Sequence, residues 1–318
     1  NINAVTKSGT NEFHGSAFFD YGDESLIGDS TEGDEYAVPA FEEKRYGFTL
    51  GGPILKDRLF FFGAYEKFEG PGNEINRVPE GSGIAGQEVT GFTQAKFDEI
   101  RDIAQNVYGY NPGGIPTSTG TEDEKYLVRL DWNITNNHRA SFTYNYNEGF
   151  NLTESDGDSN EFEYSNHLYN RGAELKAYSG QVFSDWSDNF STELRYSYND
   201  VTFLQSSVGG TDFGEVQIFD GNNVYYLGAD DSRHANELKY SVGNYKALGR
   251  YTLDNHNFTI GGERLEYDVF NLFVQEAEGE YRFNSIDDFR NGIYSRITYE
   301  NAVGTNNAAD AAASFKYA

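Results

Sequence analysis

Several stretches of this chain alternate polar and apolar residues with a period of two, the signature of a strand with one apolar and one wetted face. In Tyr126–Ile134 the apolar set is Tyr126, Val128, Leu130, Trp132 and Ile134, against Leu127, Arg129, Asp131 and Asn133. Past a short turn, Ala140, Phe142, Tyr144 and Tyr146 alternate with Arg139, Ser141, Thr143, Asn145 and Asn147. Phe190, Thr192, Leu194, Tyr196 and Tyr198 alternate in the same way with Ser191, Glu193, Arg195, Ser197 and Asn199. These and similar runs pair into hairpins: Tyr46–Ile54 with Leu59–Phe68, Tyr126–Ile134 with Arg139–Gly149, Glu174–Phe183 with Phe190–Asn199, and Leu238–Leu253 with Phe258–Phe270. With Phe13–Tyr21 before them and Ala312–Tyr317 after, the pattern predicts about nine or ten antiparallel strands.

The connections alternate as well. Within hairpins they are short: Leu55–Arg58, Thr135–His138, Ser184–Asn189 and Asp254–Asn257. Between hairpins they are long: about Gly22–Arg45, Glu69–Lys125, Phe150–Gly172, Leu204–Glu237 and a fifth after Phe270. Compact soluble domains rarely hold several loops beyond about 12–15 residues, whereas outer-membrane barrels combine tight periplasmic turns with long external loops. The expected fold is therefore all-β, an antiparallel transmembrane barrel whose first strand runs outward. One loop predicts a helix near residues 93–108: Thr93 is a suitable N-cap, Phe97, Ile100, Ile103, Ala104 and Val107 fall at helical spacing, and Gly109 stops it. Its apolar stripe should lie over the loops or the barrel mouth.

Three stretches depart from clean alternation. Leu59-Phe-Phe-Phe-Gly-Ala-Tyr65 is apolar on both faces, so its inner face should pack against something filling the lumen. In Leu238–Leu253 the apolar phase slips by one residue near Gly243, which predicts a β-bulge. Gly51-Gly52-Pro53 is expected to end its strand, where proline no longer disrupts a ladder.

Composition supports a membrane wall. The 318 residues include 24 Tyr and 25 Phe, yet mean hydropathy is -0.67 and the net charge is -27. Only one face of a barrel strand meets lipid, so abundant aromatics coexist with low hydropathy. No stretch approaches 18 apolar residues, so no transmembrane helix is predicted. Disordered chains lack aromatics and β-branched runs, which here sit at period two. The acidic balance argues against nucleic acid or an anionic membrane surface as partner. Cysteine is absent, which excludes disulfides, thiolate metal ligands and a thiol nucleophile. The chain opens on Asn1 without a charged-then-apolar leader and reads as a mature or internal segment.

No catalytic constellation emerges. The five histidines, His14, His138, His167, His234 and His256, occur singly, and there is neither a Gly-x-Ser-x-Gly elbow nor a phosphate loop. Asp156-Gly-Asp-Ser-Asn160 resembles the start of a calcium loop, with Asp156, Asp158 and Asn160 as ligand candidates. The sixth position is Glu161 instead of Gly, however, and the twelfth is His167 instead of Glu. The expectation is a non-enzyme with no cofactor and no assigned metal. Arg129, Asp131, Arg139, Glu193, Arg195, Lys246 and Arg250 are expected to face the lumen, bracing wall against plug.

Two stretches go beyond pattern. Asn1-Ile-Asn-Ala-Val-Thr-Lys-Ser-Gly-Thr-Asn-Glu-Phe-His-Gly-Ser16 resembles the plug-to-barrel junction of TonB-dependent outer-membrane receptors, in the Oar-like branch with a carboxypeptidase-regulatory-like N-terminal extension. Tyr46-Gly-Phe-Thr-Leu-Gly-Gly-Pro-Ile-Leu-Lys-Asp-Arg-Leu-Phe-Phe-Phe-Gly-Ala-Tyr-Glu66 resembles the second and third barrel strands of that branch. Tyr108–Gly114 and Arg129–Arg139 are similar to further segments. The resemblance implies a 22-stranded plugged barrel in the bacterial outer membrane. Residues 1–12 would be the end of the plug and junction, and 13–318 the first part of the wall. It implies import of a solute bound at the external mouth, energised by a TonB-type protein acting through an N-terminal region outside this sequence. The alternative is a surface structural or interaction protein on the same barrel, holding a lipoprotein or another outer-membrane protein. In both readings the other partner is membrane lipid.

Overall fold

A computed structural model describes residues 6–318 apart from 29, 32, 36–40, 73–76, 85 and 117–119; residues 1–5 of the expected junction therefore lie outside the described residues. Ten antiparallel strands form one open sheet in chain order: His14–Asp23, Glu42–Leu55, Leu59–Pro71, Gly120–Asn133, His138–Thr153, Tyr169–Ser187, Phe190–Ser207, Ala235–Leu253, His256–Val274 and Ala313–Tyr317. Every neighbouring pair is antiparallel and sequential, and among the described residues the first strand does not pair with the last. The sheet is thus part of a barrel wall, about as many strands as the alternation predicts.

The registers explain the alternation. On one face, cross-strand neighbours stack a tyrosine belt: Tyr126 on Tyr146 at 4.6 Å between ring centroids, Tyr144 on Tyr178 at 4.7 Å and Tyr196 on Tyr245 at 4.9 Å. Below the belt, toward the short turns, the same face exposes Val128, Trp132, Phe142, Val182, Leu194 and Phe190. Such a band, bounded by aromatics, belongs against hydrocarbon. Immediately above the belt this outward face turns charged, with Lys67, Glu124, Glu148 and Glu174 in one row of register partners. The belt therefore marks the outer rim of the apolar band.

The strands run well past that rim. Ala235–Leu253 has 19 residues, about 60 Å at the usual strand rise, while the apolar band of such barrels is about 25 Å tall. This length corrects the expectation of a bulge at Gly243. The ladder through Ala235–Leu253 is continuous on both sides. What changes near Gly243 is the surroundings of each face. Tyr245, Tyr251 and their partners face outward in the bilayer, whereas Leu238, Tyr240 and Val242 turn inward above it, in register with Val201 and Phe203. The expected strand end at Gly51-Gly52-Pro53 is corrected too: pairing continues to Leu55, with the register shift falling between Pro53 and Leu55, where proline cannot donate.

Inside the wall, residues 6–12 run along the face opposite the tyrosines. A Cβ on Gly9 would sit 2.2 Å from the Phe61 carbonyl oxygen, so only glycine permits that approach. Asn11 clasps the first short turn, donating to Asp57 Oδ1 at 2.6 Å and accepting from the Asp57 amide at 2.8 Å. Phe60 and Phe62 lie beneath this segment, which accounts for a strand apolar on both faces.

The long loops build a second layer. Strands Glu161–Glu163, Asn223–Leu227, Glu215–Asp220, Glu280–Phe283 and Arg296–Thr298 form a five-stranded mixed sheet drawn from three different loops. A fourth loop contributes the helix Gln94–Tyr108, whose cap is as expected: Thr93 accepts from the Lys96 amide, and Gly109 ends the helix at φ 70°. Its buried stripe, Phe97, Ile100, Ile103 and Ala104, packs on Phe92, Phe162, Tyr164, Ile218, Tyr225, Leu227 and Phe289. The large apolar side chains that are completely buried lie mainly in this module and hardly at all in the wall.

Candidate functional site

Two regions concentrate chemistry: the inner face of the wall and the polar floor of the loop module. All seven residues expected to face the lumen lie on the face opposite the tyrosine belt. Successive cross-strand partners place Asp131, Arg195 and Lys246 in one row, and Arg139 and Glu193 in the next. Arg129 holds Asp131 through two parallel hydrogen bonds, Nε to Oδ2 at 2.8 Å and Nη2 to Oδ1 at 2.7 Å. Its remaining Nη1 donates to the Thr6 carbonyl at 3.1 Å and to the Thr6 hydroxyl, tying the N-terminal segment to the wall. Buried Glu193 accepts from Arg250 at 3.2 Å and pairs with Arg195. Arg139 lies over the Phe183 ring at 4.8 Å. The arrangement is a braced, hydrophilic inner surface.

Where the loops meet the top of the wall, the module has a buried polar floor. Asp156 and His167 come from the loop 154–168, and Glu215 and Asp230 from the loop 208–234. One potential ligand atom of each lies within 4.8 Å of those of the others. His167 is fully buried; its Nδ1 is 3.0 Å from the Gly228 carbonyl oxygen and its Nε2 3.3 Å from Asp156 Oδ2. Glu163 joins from the sheet, accepting from the Asp156 amide at 2.6 Å, and Glu215 accepts from the Asp231 amide at 2.7 Å. Burial pushes the carboxyls of Glu163 and Glu215 up, to about 8 and about 7, against the opposing charge of His167. For His167, burial opposes protonation, yet the Asp156 hydrogen bond and the surrounding carboxylates outweigh it and raise its affinity for a proton. Arg233 stacks over the Tyr169 ring at 4.2 Å, joining this floor to the sixth wall strand.

Of the calcium-loop residues, only Asp156 joins this cluster. The Asp158 amide donates to Glu161 in a tight turn, and the Asn160 side-chain amide donates to the Asn222 carbonyl while its backbone carbonyl accepts from the Val224 amide. The remaining histidines divide among simple settings. His14 is exposed, His138 lies 5.0 Å from the Trp186 ring, His256 lies beside Phe258, and buried His234 contacts Ala229 and Glu278. Sequence reasoning did not single out His167, Glu215 and Asp230. They lie up to 63 residues apart, and only the pairing of two loops brings them together.

A ten-stranded wall with an apolar belt, a charged lumen face and long external loops defines an outer-membrane β-barrel, and comparison with known proteins agrees. The profile of the outer membrane beta barrel domain family matches residues 5–316, and the chain belongs to that family. Over 156 residues it is 31% identical to the TonB-dependent transporter Oar of Myxococcus xanthus, a match covering 45% of this chain and 13% of that protein. Its fold is similar to that of the outer membrane transporter YddB from Escherichia coli, with a TM-score of 0.58, 9% identity, and coverage of 96% of this chain and 36% of that one. The siderophore receptor PirA from Acinetobacter baumannii matches with a TM-score of 0.44 and 15% identity, over 86% of this chain and 32% of that one. The chain thus spans about an eighth of the length of the curated relative and about a third of the solved receptors.

Proposed function

We propose that this chain is the early wall and part of the external loop module of a TonB-dependent outer-membrane transporter, which captures a solute at the mouth and admits it with energy from the inner membrane. The observation that carries the reading is the N-terminal segment held on the inner face of the wall. Residues 6–12 enter along the lumen side, held by Arg129 at Thr6 and by Asp57 at Asn11, before the first strand begins at His14. That is the path required of a chain leaving a plug, and residues 1–12 are accordingly assigned to the plug's end. The similarity to Oar supports the same reading. In this account the loop module forms the outer binding surface, and the seven charged lumen residues line the route that opens when part of the plug is displaced.

Solute accumulation by cells expressing the protein, with and without their TonB-type coupling protein, tests the proposal. Accumulation that disappears with the coupling protein is expected; equal accumulation in both strains sinks the energised mechanism. One observation favours a second reading, a surface assembly protein on the same barrel. Ile293, Tyr294, Ile297, Tyr299 and Val303 are all exposed beside the edge strand Arg296–Thr298 of the loop sheet. A stable surface partner co-purifying with the protein, with no solute accumulation in either strain, would establish that reading instead.

A further inference from the structure

We propose that Asp156, His167, Glu215 and Asp230 form a binding site for a divalent transition-metal ion of the Zn2+ class, which staples the loop 154–168 to the loop 208–234. His167 is held through one ring nitrogen. The Gly228 carbonyl can only accept, so the Nδ1 nitrogen 3.0 Å away must carry the hydrogen. Nε2 is then left facing a carboxylate oxygen of Asp156 at 3.3 Å. With its lone pair bare, Nε2 would set two acceptors against each other in a fully buried place, so a proton or a cation has to lie between them. A ring fixed through Nδ1–H to a backbone carbonyl, presenting Nε2 inward, is the arrangement adopted by metal-binding histidines.

Asp230 provides an independent pointer. It is 5% exposed, and its Oδ1 has no hydrogen-bond partner. Arg233 Nε lies 3.2 Å from that oxygen but is itself without a hydrogen bond, so the contact is a charge pairing out of alignment. A buried carboxylate oxygen left this way is costly, and it belongs to a side chain that converges with the three others. The charge balance has the same sign. Asp156, Glu163, Glu215 and Asp230 gather four carboxyls around His167, with Arg233 the cation paired to one of them.

Distances and donors select the metal class. At metal–ligand lengths of about 2.1 Å, donors lie roughly 3.4 Å apart in a tetrahedron and about 4.2 Å apart when opposed in an octahedron. The present limit of 4.8 Å therefore asks for small side-chain rotations only. One imidazole with three carboxylates suits Zn2+ better than Ca2+, which takes six to eight oxygens. Because each loop supplies two ligands, the ion would tighten the module at the start of the sheet strand Glu215–Asp220.

The experiment uses the protein in detergent micelles, stripped with chelator and then dialysed against Zn2+, with bound metal counted by mass spectrometry. One equivalent is expected, with affinity falling ten- to a hundredfold or more in His167→Gln and in Asp230→Asn. Asp158→Asn, outside the cluster, should bind as the parent does. Co2+ loaded in place of Zn2+ should give visible absorption bands that vanish in His167→Gln, and protease cleavage within 208–234 should slow on loading the parent only. Heat-modifiable migration of each variant reports an intact wall, so lost binding is separable from misfolding. Absence of stoichiometric Zn2+ uptake, or uptake equal in parent, His167→Gln and Asp230→Asn, overturns the site. Ca2+ binding insensitive to His167→Gln overturns the assigned metal class.

Discussion

Phe92 offers the sharpest test of whether the external loops fold as one body. It is wholly buried, and its ring stacks on Tyr225 at 4.2 Å, meets Phe162 at 4.8 Å and Phe97 at 6.4 Å. Those partners belong to three loops, so truncation should loosen all three together. Replacing a buried Phe by Ala costs about 3–5 kcal/mol through lost transfer energy and the cavity left behind. Taking about 4 kcal/mol, and a factor of ten for each ~1.4 kcal/mol, the opened module becomes roughly a thousandfold more populated. Hydrogen exchange on the micellar Phe92→Ala protein should show that loss of protection in 97–104, 161–164 and 215–227, while wall strands such as Phe190–Ser207 keep theirs. Val107→Ala, on the exposed side of the same helix, is the control and should change stability by no more than about 0.5 kcal/mol. If Phe92→Ala speeds exchange around residue 92 alone and leaves 215–227 protected, the loops do not share a core.

Three further outcomes follow from the wall and the module. Leu194→Arg places a charge on the outward face midway between Phe190 and Tyr198 and should cost about 2–4 kcal/mol in folding into lipid vesicles; a midpoint unchanged in urea would mean that this face does not meet lipid. Arg129→Ala removes the grip on Thr6 and unpairs Asp131, so exchange in residues 6–12 should rise about ten- to a hundredfold; unchanged protection there would show that the segment is held by other contacts. Buried His234 accepts from the Glu278 amide through Nδ1 at 3.2 Å and lies 3.1 Å from the Ala229 carbonyl through Nε2, and burial holds it below its ordinary range. Its neutral form is the folded one, so the stability it contributes is complete above the unfolded value of about 6.5 and is lost as pH falls below it. Cleavage within 275–312 should therefore increase on going from pH 7.5 to 5.5, and less so in His234→Gln; identical profiles would remove His234 from the account.

The wall was legible because each of its strands has two solvents. Tyr126 through Ile134 meets lipid on one side and a wet lumen on the other, and that contrast is written at period two. Where the contrast fades, so does the reading. Leu238, Tyr240 and Val242 rise above the bilayer, where the apolar side is the inner one, and the resulting change of phase imitates a bulge. The helix Gln94–Tyr108 was legible from its cap and its stripe, both local features. The five-stranded loop sheet was not. Asn223–Leu227 is buried along its whole length and so does not alternate, Glu161–Glu163 has only three residues, and their parallel pairing joins segments about sixty residues apart. The polar floor was hidden for the same reason. Asp156 and His167 share a loop, but Glu215 and Asp230 join them only through that pairing.

The central claim is a wall in the outer membrane with its long loops folded outside and its short turns in the periplasm. The absence of cysteine from these 318 residues simplifies the direct measurement, since a thiol introduced here is the only one in this stretch and the parent protein gives the background labelling. Single cysteines at Asn222 and Val303, exposed in the loop module, and at Asn136 and Asp188, exposed in the short turns, can be probed on intact cells with a membrane-impermeant maleimide. The account predicts rapid labelling at residues 222 and 303 in intact cells, and labelling at 136 and 188 only after the outer membrane is permeabilised. Labelling of the short-turn positions in intact cells, with the loop positions protected until permeabilisation, would contradict it.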